Sequence, residues 1–177
     1  MKGKKTEPIY FDSLRNDKRL STTHIDIKGE GKVPKSLIAR AEAIKSEKEY
    51  NAVWCVFDRD DHKKIDQARK QAKDNGINIA FSNPCFELWY LLHFKDQTAN
   101  IHRKDVERNL KKHVPKYSKS MDLYDEIKDR QIDAIDRANE LRKHQKENDD
   151  EITSNPSTNV DELVTYLNNI SNLNKQK

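Results

Sequence analysis

The chain has 177 residues, of which 34% are hydrophobic and 36% are charged, and its formal net charge is +4. This length suits one domain, or one core with a helical extension. The apolar residues are clustered, which excludes disorder throughout the chain. We find no signal peptide and no apolar stretch of membrane length, and Cys55 and Cys85 are isolated thiols, so we expect a cytoplasmic protein in a reducing compartment.

The first half of the chain alternates strand and helix patterns. Residues 23–28 alternate apolar and polar side chains, as a half-buried strand does, and Pro34 opens a helical pattern. Residues 52–57 are apolar on both faces, which is typical of a central parallel strand covered by helices. A helix over 65–75, with Ile65, Ala68 and Ala72 inward, ends at a C-cap formed by Asn75 and Gly76. Residues 77–81 alternate again and form the next strand.

The second half of the chain is predominantly helical. Asn83 and Pro84 are expected to start a helix that is apolar nearly all round, and therefore the most buried one. Apolar spacing then predicts a short helix around Val106 and a long helix over 123–141. Ser157, Thr158 and Asn159 can cap a last helix, whose inward residues are Val160, Leu163, Val164, Leu167 and Ile170.

These patterns together predict an α/β protein with a parallel sheet, right-handed crossovers and flanking helices. We place the α/β core in residues 1–97. Residues 98–177 form a helical extension that packs on this core.

An acidic motif follows the most buried strand. Asp58 and Asp60 lie where ligand sites form in open α/β sheets, beyond the carboxyl ends of the strands. Two residues apart in extended chain, they share one side, and Arg59 points the other way. Their carboxylates can hold one hard cation such as Mg²⁺. The alternative is an acidic loop that caps the next helix, and the motif alone leaves both open.

Three further features lie near this motif in the predicted fold. Glu87 stands in the first turn of an apolar helix, where the helix dipole alone favours a carboxylate, or where it joins the acidic site. His93, on the same helix, is either a hydrogen-bonded core histidine, or a ligand or base. Thr6 caps a helix that begins next to Glu7.

A denser basic run lies in the helical half of the chain. Its members are Lys111, Lys112, His113, Lys116 and Lys119. Such a run is either a solvated helix end or a strip that contacts phosphates.

Four stretches of the sequence together resemble one family. They read G-K-K-T-E-P-I-Y-F from Gly3, V-W-C-V-F-D-R-D-D from Val53, F-S-N-P-C-F-E-L-W-Y-L-L-H-F from Phe81 and N-P-S-T-N-V from Asn155. In this order they resemble RloB-like proteins, a bacterial family with a Toprim-like core encoded near restriction-modification and phage-defence genes.

The resemblance implies a Toprim-type site. Such sites pair a glutamate at the end of the first strand with a D-x-D after a later strand, and the D-x-D matches Asp58 and Asp60. In Toprim nucleases these acids bind one or two divalent metals and cut phosphodiesters. The family motif E-G-x-x-T-E matches at Glu7, whereas Lys2 stands at its first glutamate and the preceding strand is missing. Either the start is truncated, or this is a variant without that acid.

The leading hypothesis is a Mg²⁺- or Mn²⁺-dependent nuclease that cleaves DNA or RNA in anti-phage defence, beside an ATPase partner. The alternative, favoured by Lys2, is a degenerate Toprim module that binds nucleic acid or the partner without cleavage. A missing first strand would also leave a sheet edge unpaired, which favours homo-oligomers. The expected metal ligands are Asp58, Asp60 and Glu7. The expected catalytic residues are these three acids together with Glu87 and His93. The expected phosphate contacts are Lys35, Arg59, Lys111 and Lys112.

Overall fold

The computed structural model describes residues 6–20, 34–47, 50–59, 65–147 and 154–175. The predicted strand over residues 23–28 and the predicted acid at Asp60 lie outside these ranges. The elements are α1 (Thr6–Asp17), α2 (Pro34–Glu47), β1 (Trp54–Asp58), α3 (Ile65–Asp74), β2 (Asn78–Asn83), α4 (Glu87–Leu92), α5 (Arg103–His113), α6 (Tyr124–Ile127), a 3-10 turn (Lys128–Arg130), α7 (Gln131–Glu147), β3 (Ser157–Thr158) and α8 (Val160–Lys175).

The described strands form a sheet in the order β1-β2-β3. Strands β1 and β2 are parallel, with Asp58 opposite Ser82 at their carboxyl ends. The short strand β3 is antiparallel to β2 and places Ser157 opposite Asn83. The predicted α/β fold with flanking helices is confirmed, but the sheet is mixed rather than parallel. The reason is that β3 comes from the helical half of the chain and enters the sheet from the opposite direction.

Helices cover both faces of the sheet. Cys55 and Phe57 of β1 lie in one apolar cluster with residues of α2 and α3. Trp54 and Val56 point the other way and pack against a larger cluster built from the remaining helices. Because side chains alternate across a strand, a strand that is apolar at every position needs a core on each side. The predicted parallel pairing and the apolar cover on both faces are therefore confirmed, but within the described sheet the central and more buried strand is β2, with β1 beside it.

Helix α3 follows its predicted course. Ile65, Ala68 and Ala72 are buried, and the helix ends in a left-handed Gly76 with φ of 61°. The Ile77 N–H returns to the Ala72 carbonyl at 2.8 Å, a pattern that satisfies the last carbonyls of a helix. Glycine is favoured at this position because it adopts positive φ without a Cβ penalty.

The beginning of α4 differs from the prediction. Asn83 is the last residue of β2 rather than a helix cap, and α4 starts at Glu87. The backbone of Asn83 pairs with Ser157 of β3, a residue far away in sequence that no local pattern reveals. Every residue of α4 is buried, as predicted for the most buried helix.

The predicted long helix over 123–141 is in fact two helices, α6 and α7, separated by a 3-10 turn. The last helix, α8, begins at Val160, and Val160, Leu163, Val164 and Leu167 are buried as expected. Ile170 is partly buried against the same core.

The expected cap of α8 is used for a different contact. The Asn159 side chain accepts a hydrogen bond from the Phe81 N–H at 2.7 Å and donates one to the Ile79 carbonyl at 2.9 Å. It therefore extends the ladder along β2. Thr158 does act locally, since its hydroxyl accepts from the Val160 N–H at 3.3 Å.

The largest apolar cluster contains residues from both sides of the predicted boundary, for example Tyr10 and Trp89 together with Leu123 and Val164. The division into residues 1–97 and 98–177 stays a prediction. Within the described ranges, no helix is both long and apolar enough to span a bilayer.

Candidate functional site

Asp58 ends β1 at the carboxyl end of the sheet. It stands opposite Ser82 in the parallel ladder, and the Arg59 N–H continues this ladder to the Ser82 carbonyl at 2.9 Å. The Asp58 side chain is only 16% exposed. The strand thus delivers a largely buried carboxylate to the edge where ligand sites form in open α/β sheets.

Arg103, the first residue of α5, lies against this carboxylate. One guanidinium nitrogen is 3.4 Å from Asp58 Oδ2 and donates to the Pro84 carbonyl at 3.1 Å. The Arg103 side chain is 33% exposed. The guanidinium therefore joins the end of β1 to the loop after β2, and part of it still faces solvent.

Glu87 occupies the first turn of α4 and is 5% exposed. The Tyr117 hydroxyl donates to Glu87 Oε1 at 3.2 Å, and Tyr117 also contacts the Thr6 hydroxyl at the start of α1. Burial, and then the nearby Glu87 charge, raise the pKa of Tyr117 well above its ordinary value, so that the hydroxyl remains a donor. This chain of contacts ties the first turns of α1 and α4 together.

Cys85 lies in the loop between β2 and α4, two residues before Glu87. It is 1% exposed. Burial raises the pKa of its thiol, Glu87 raises it further, Arg103 opposes this, and Asp58 adds to the increase. A thiol held in its protonated form is a poor nucleophile. Cys85 is therefore a structural neighbour, and the charges of Glu87, Arg103 and Asp58 all act on its thiol.

The structure brings some of the predicted site residues together. Asp58 and Glu87 both act electrostatically on Cys85, and Glu87 connects through Tyr117 to Thr6, which precedes the half-buried Glu7 in sequence. Exposed Lys35 lies in the first turn of α2. The other end of that helix bonds the Asn75 and Gly76 carbonyls, before β2, through Lys45, and a phosphate contact by Lys35 stays a prediction.

Other predicted residues lie elsewhere. His93 is fully buried at the end of α4, where its Nδ1 lies 2.8 Å from the Trp89 carbonyl. Its Nε2 is buried without a hydrogen-bond partner. Burial lowers the pKa of His93 to about 4, so the neutral ring is favoured, as in a core histidine. Lys111 and Lys112 lie exposed near the far end of α5, where they contact Glu107 and Asn109.

The described part of the carboxyl end of the sheet offers some, but not all, of the ligands that a divalent cation needs. Asp58 offers the hard oxygen ligands that Mg²⁺ and Mn²⁺ prefer. Within the described ranges, however, no group of three or more His, Cys, Asp or Glu side chains lies close enough to hold a metal ion. Asp60, the second carboxylate of the expected site, lies outside the described residues.

Two residues of this region were missed by sequence reasoning, Arg103 and Tyr117. A tyrosine in a loop carries no signal that it will reach Glu87. Arg103 does carry a weak one, because the dipole disfavours a cation in the first turn of a helix. A helix that starts with Arg103 and Lys104 indicates an anionic partner nearby.

The comparisons with known proteins agree with the resemblance seen in the sequence. No curated protein and no solved structure matches the chain. The family model described as RloB-like protein matches residues 1–167, which is nearly the whole chain. The chain therefore belongs to the RloB-like protein family.

Proposed function

We propose that this chain is a Toprim-type nuclease that uses Mg²⁺ or Mn²⁺ to cleave phosphodiester bonds of DNA or RNA in bacterial anti-phage defence. Asp58 and Asp60 are the proposed metal ligands, with Glu7 as a third. The observation that carries the proposal is the position of Asp58, which is a largely buried carboxylate at the carboxyl end of β1 with a guanidinium beside it. Membership of the RloB-like family supports it.

The residues around Asp58 have distinct parts in this proposal. A bound cation supplies charge neutralisation and an activated water. Arg103, which is held by the Pro84 carbonyl and still 33% exposed, orients the phosphate that is to be cut and offsets its charge. Tyr117 and Cys85 hold Glu87 in place, so that Glu87 supports the site from behind.

A cleavage assay tests the proposal. Purified protein is incubated with single- and double-stranded DNA and with RNA, in the presence of Mg²⁺, Mn²⁺ or EDTA. We expect metal-dependent cleavage that falls about 100-fold or more in Asp58→Ala and Asp60→Ala. Asp74→Ala is the matched control, because Asp74 is an exposed acid at the end of α3. Cleavage that persists in EDTA, or in both aspartate variants, would refute the assignment.

Metal binding is measured separately from cleavage. Calorimetric titration with Mn²⁺ should give a binding signal that Asp58→Ala and Asp60→Ala lose and that Asp74→Ala keeps. Absence of a Mn²⁺ signal in the unaltered chain would contradict the proposed metal site regardless of the activity result.

A second candidate function is a degenerate module that binds nucleic acid or an ATPase partner without cleavage. Two observations favour it: Lys2 stands at the first glutamate of the family motif, and Arg103 is already paired with Asp58. Salt-sensitive nucleic-acid binding without cleavage, in the unaltered chain and in Lys2→Glu alike, supports this module. Cleavage that appears only in Lys2→Glu assigns the loss to that position.

The wider setting belongs to the same proposal. We place the protein in the cytoplasm, with nucleic acid as its substrate, an ATPase as its partner and a homo-oligomer as its assembly. Size-exclusion chromatography with light scattering measures the assembly, and a mass corresponding to one chain at working concentration contradicts the homo-oligomer.

A further inference from the structure

The charge of the chain is concentrated in one segment. Residues 97–121 contain seven lysines and arginines and two acids, a formal charge of +5, whereas the whole chain carries +4. Helix α5 lies within this segment, and every exposed position of α5 is basic or a histidine. These positions, which we call the α5 strip, are Lys104, Arg108, Lys111, Lys112 and His113.

The two acids of α5 cancel only part of its charge, because five basic residues against two acids leave residues 103–113 with a formal charge of +3. Asp105 and Glu107 are only half-exposed, and they pair with Arg108 at 2.8 Å and with Lys111 at 2.9 Å. These pairs hold the two cations in place on the helix surface. Lys112 contacts the neutral Asn109 at 3.0 Å. An anion that approaches α5 therefore meets positive charge along its exposed side.

One end of the α5 strip carries a stacked pair of rings. The exposed His113 ring lies flat on the half-buried Phe94 ring, with a centroid distance of 4.9 Å and an interplanar angle of 9°. The guanidinium of Arg130 lies 5.4 Å from the centre of the Phe94 ring. Phe94 therefore covers one side of the His113 ring, while the His113 side chain remains exposed.

The other end of α5 is the candidate site. Arg103 opens the helix and contacts Asp58, and His113 closes it. Ten residues at about 1.5 Å each separate them by about 15 Å, which is about four stacked nucleotides at 3.4 Å each.

We infer, on the basis of the proposed function, that the α5 strip is a track for single-stranded nucleic acid. At one end of the track a base of the bound strand stacks on His113. At the other end a phosphate of the same strand lies at Arg103 and Asp58. The lysines and arginines contact successive phosphates. The stacked ring pair selects a single strand because only an unpaired base can leave its own stack and lie on a side-chain ring.

A binding assay in EDTA tests this track without cleavage. The probes are fluorescein-labelled 12-nucleotide DNA and RNA strands of mixed sequence and the corresponding duplexes, followed by anisotropy. We expect the single strands to bind more tightly than the duplexes. His113→Ala should weaken single-strand binding about tenfold, since one stacked base contributes about 1–3 kcal/mol, and His113→Tyr should keep it. His144→Ala, at an exposed position of α7, is the matched control.

The charge part of the track has its own measurement. Lys104→Gln with Lys112→Gln removes two phosphate contacts, so the slope of log affinity against log salt should become shallower by about 1.4. Lys70→Gln with Lys73→Gln makes the same charge change on α3, at exposed positions, and should leave the slope unchanged. Tighter binding to duplex, or equal effects of each pair and its control, would overturn the track.

The two proposals fail differently. If strip variants weaken binding but no form cleaves nucleic acid with Mg²⁺ or Mn²⁺, the nuclease fails and the track stands. If cleavage depends on Asp58 but strip variants bind and cut like the controls, the nuclease stands and the track fails.

Discussion

The contact between Tyr117 and Glu87 provides a direct test of how the site is held. The Tyr117 hydroxyl donates to Glu87 Oε1 at 3.2 Å, and both side chains are buried, with 2% and 5% exposure. Tyr117→Phe keeps the ring and removes only the donor. A hydrogen bond to a charged group contributes about 1.5–3 kcal/mol, so we expect the free energy of unfolding to fall by this amount. In a chain of this length, each kcal/mol lowers Tm by about 2–4 °C.

Urea unfolding followed by circular dichroism measures this change. Tyr166→Phe is the matched control, because Tyr166 packs on Trp54 away from Glu87, and we expect it to change stability by less than about 0.5 kcal/mol. A double-mutant cycle with Glu87→Gln should give a coupling energy above about 0.5 kcal/mol, as for residues in contact. If Tyr117→Phe proves as stable as the control, the assigned contact is wrong.

The same variants distinguish the two functions considered for Glu87. If Glu87 supports the site from behind, Glu87→Gln lowers stability and leaves Mn²⁺ affinity unchanged. If Glu87 is a metal ligand, Glu87→Gln weakens Mn²⁺ binding as Asp58→Ala does.

Three further predictions concern stability. Burial lowers the pKa of His93 from an ordinary 6.5 to about 4, so the unfolded chain takes up the proton at a higher pH than the folded chain. Relative to His93→Gln, the free energy of unfolding should therefore fall by up to about 3 kcal/mol as pH falls from about 6.5 to 4. Equal pH profiles for the two proteins would contradict this. Asp161→Asn breaks a bidentate pair with Arg142 at 2.6 and 2.7 Å around a side chain that is 3% exposed, and should lower the free energy of unfolding by about 3–5 kcal/mol in urea, whereas a change below 1 kcal/mol would count against it. Asn159→Ala removes both side-chain bonds to β2, and should lower stability by about 1–3 kcal/mol and speed amide exchange at Phe81, whose unchanged exchange would disprove the contact.

Local patterns were sufficient for much of the fold. The strand around Cys55, the inward side of α3 and the turn at Gly76 all follow from spacing and backbone preference within about ten residues. The buried positions of α8 follow in the same way. In each of these elements, the spacing of apolar residues on one face, or a single glycine, determines the local structure. The sequence alone is therefore enough to predict them.

The elements that were predicted wrongly depend on distant contacts. Asn83 resembles a helix cap, yet it ends β2 because Ser157 pairs with it. Arg103 lies 45 residues beyond Asp58, and Tyr117 lies 30 residues beyond Glu87. No periodicity connects such pairs, since the fold alone brings them together.

The stretch N-P-S-T-N-V from Asn155, the last of the four that resemble the family, makes contacts that position the candidate site. The Asn155 side chain accepts from the Ile101 N–H at 3.1 Å and donates to the Ile101 carbonyl at 2.9 Å. Thr158 bonds Ser82 at 2.9 Å, next to the carboxyl end of β2. Ile101 lies two residues before Arg103, so one stretch fixes both the strand end and the start of α5. The position of Arg103 against Asp58 therefore depends on residues that carry no charge, which explains how a polar, neutral stretch far from the acids serves the same site.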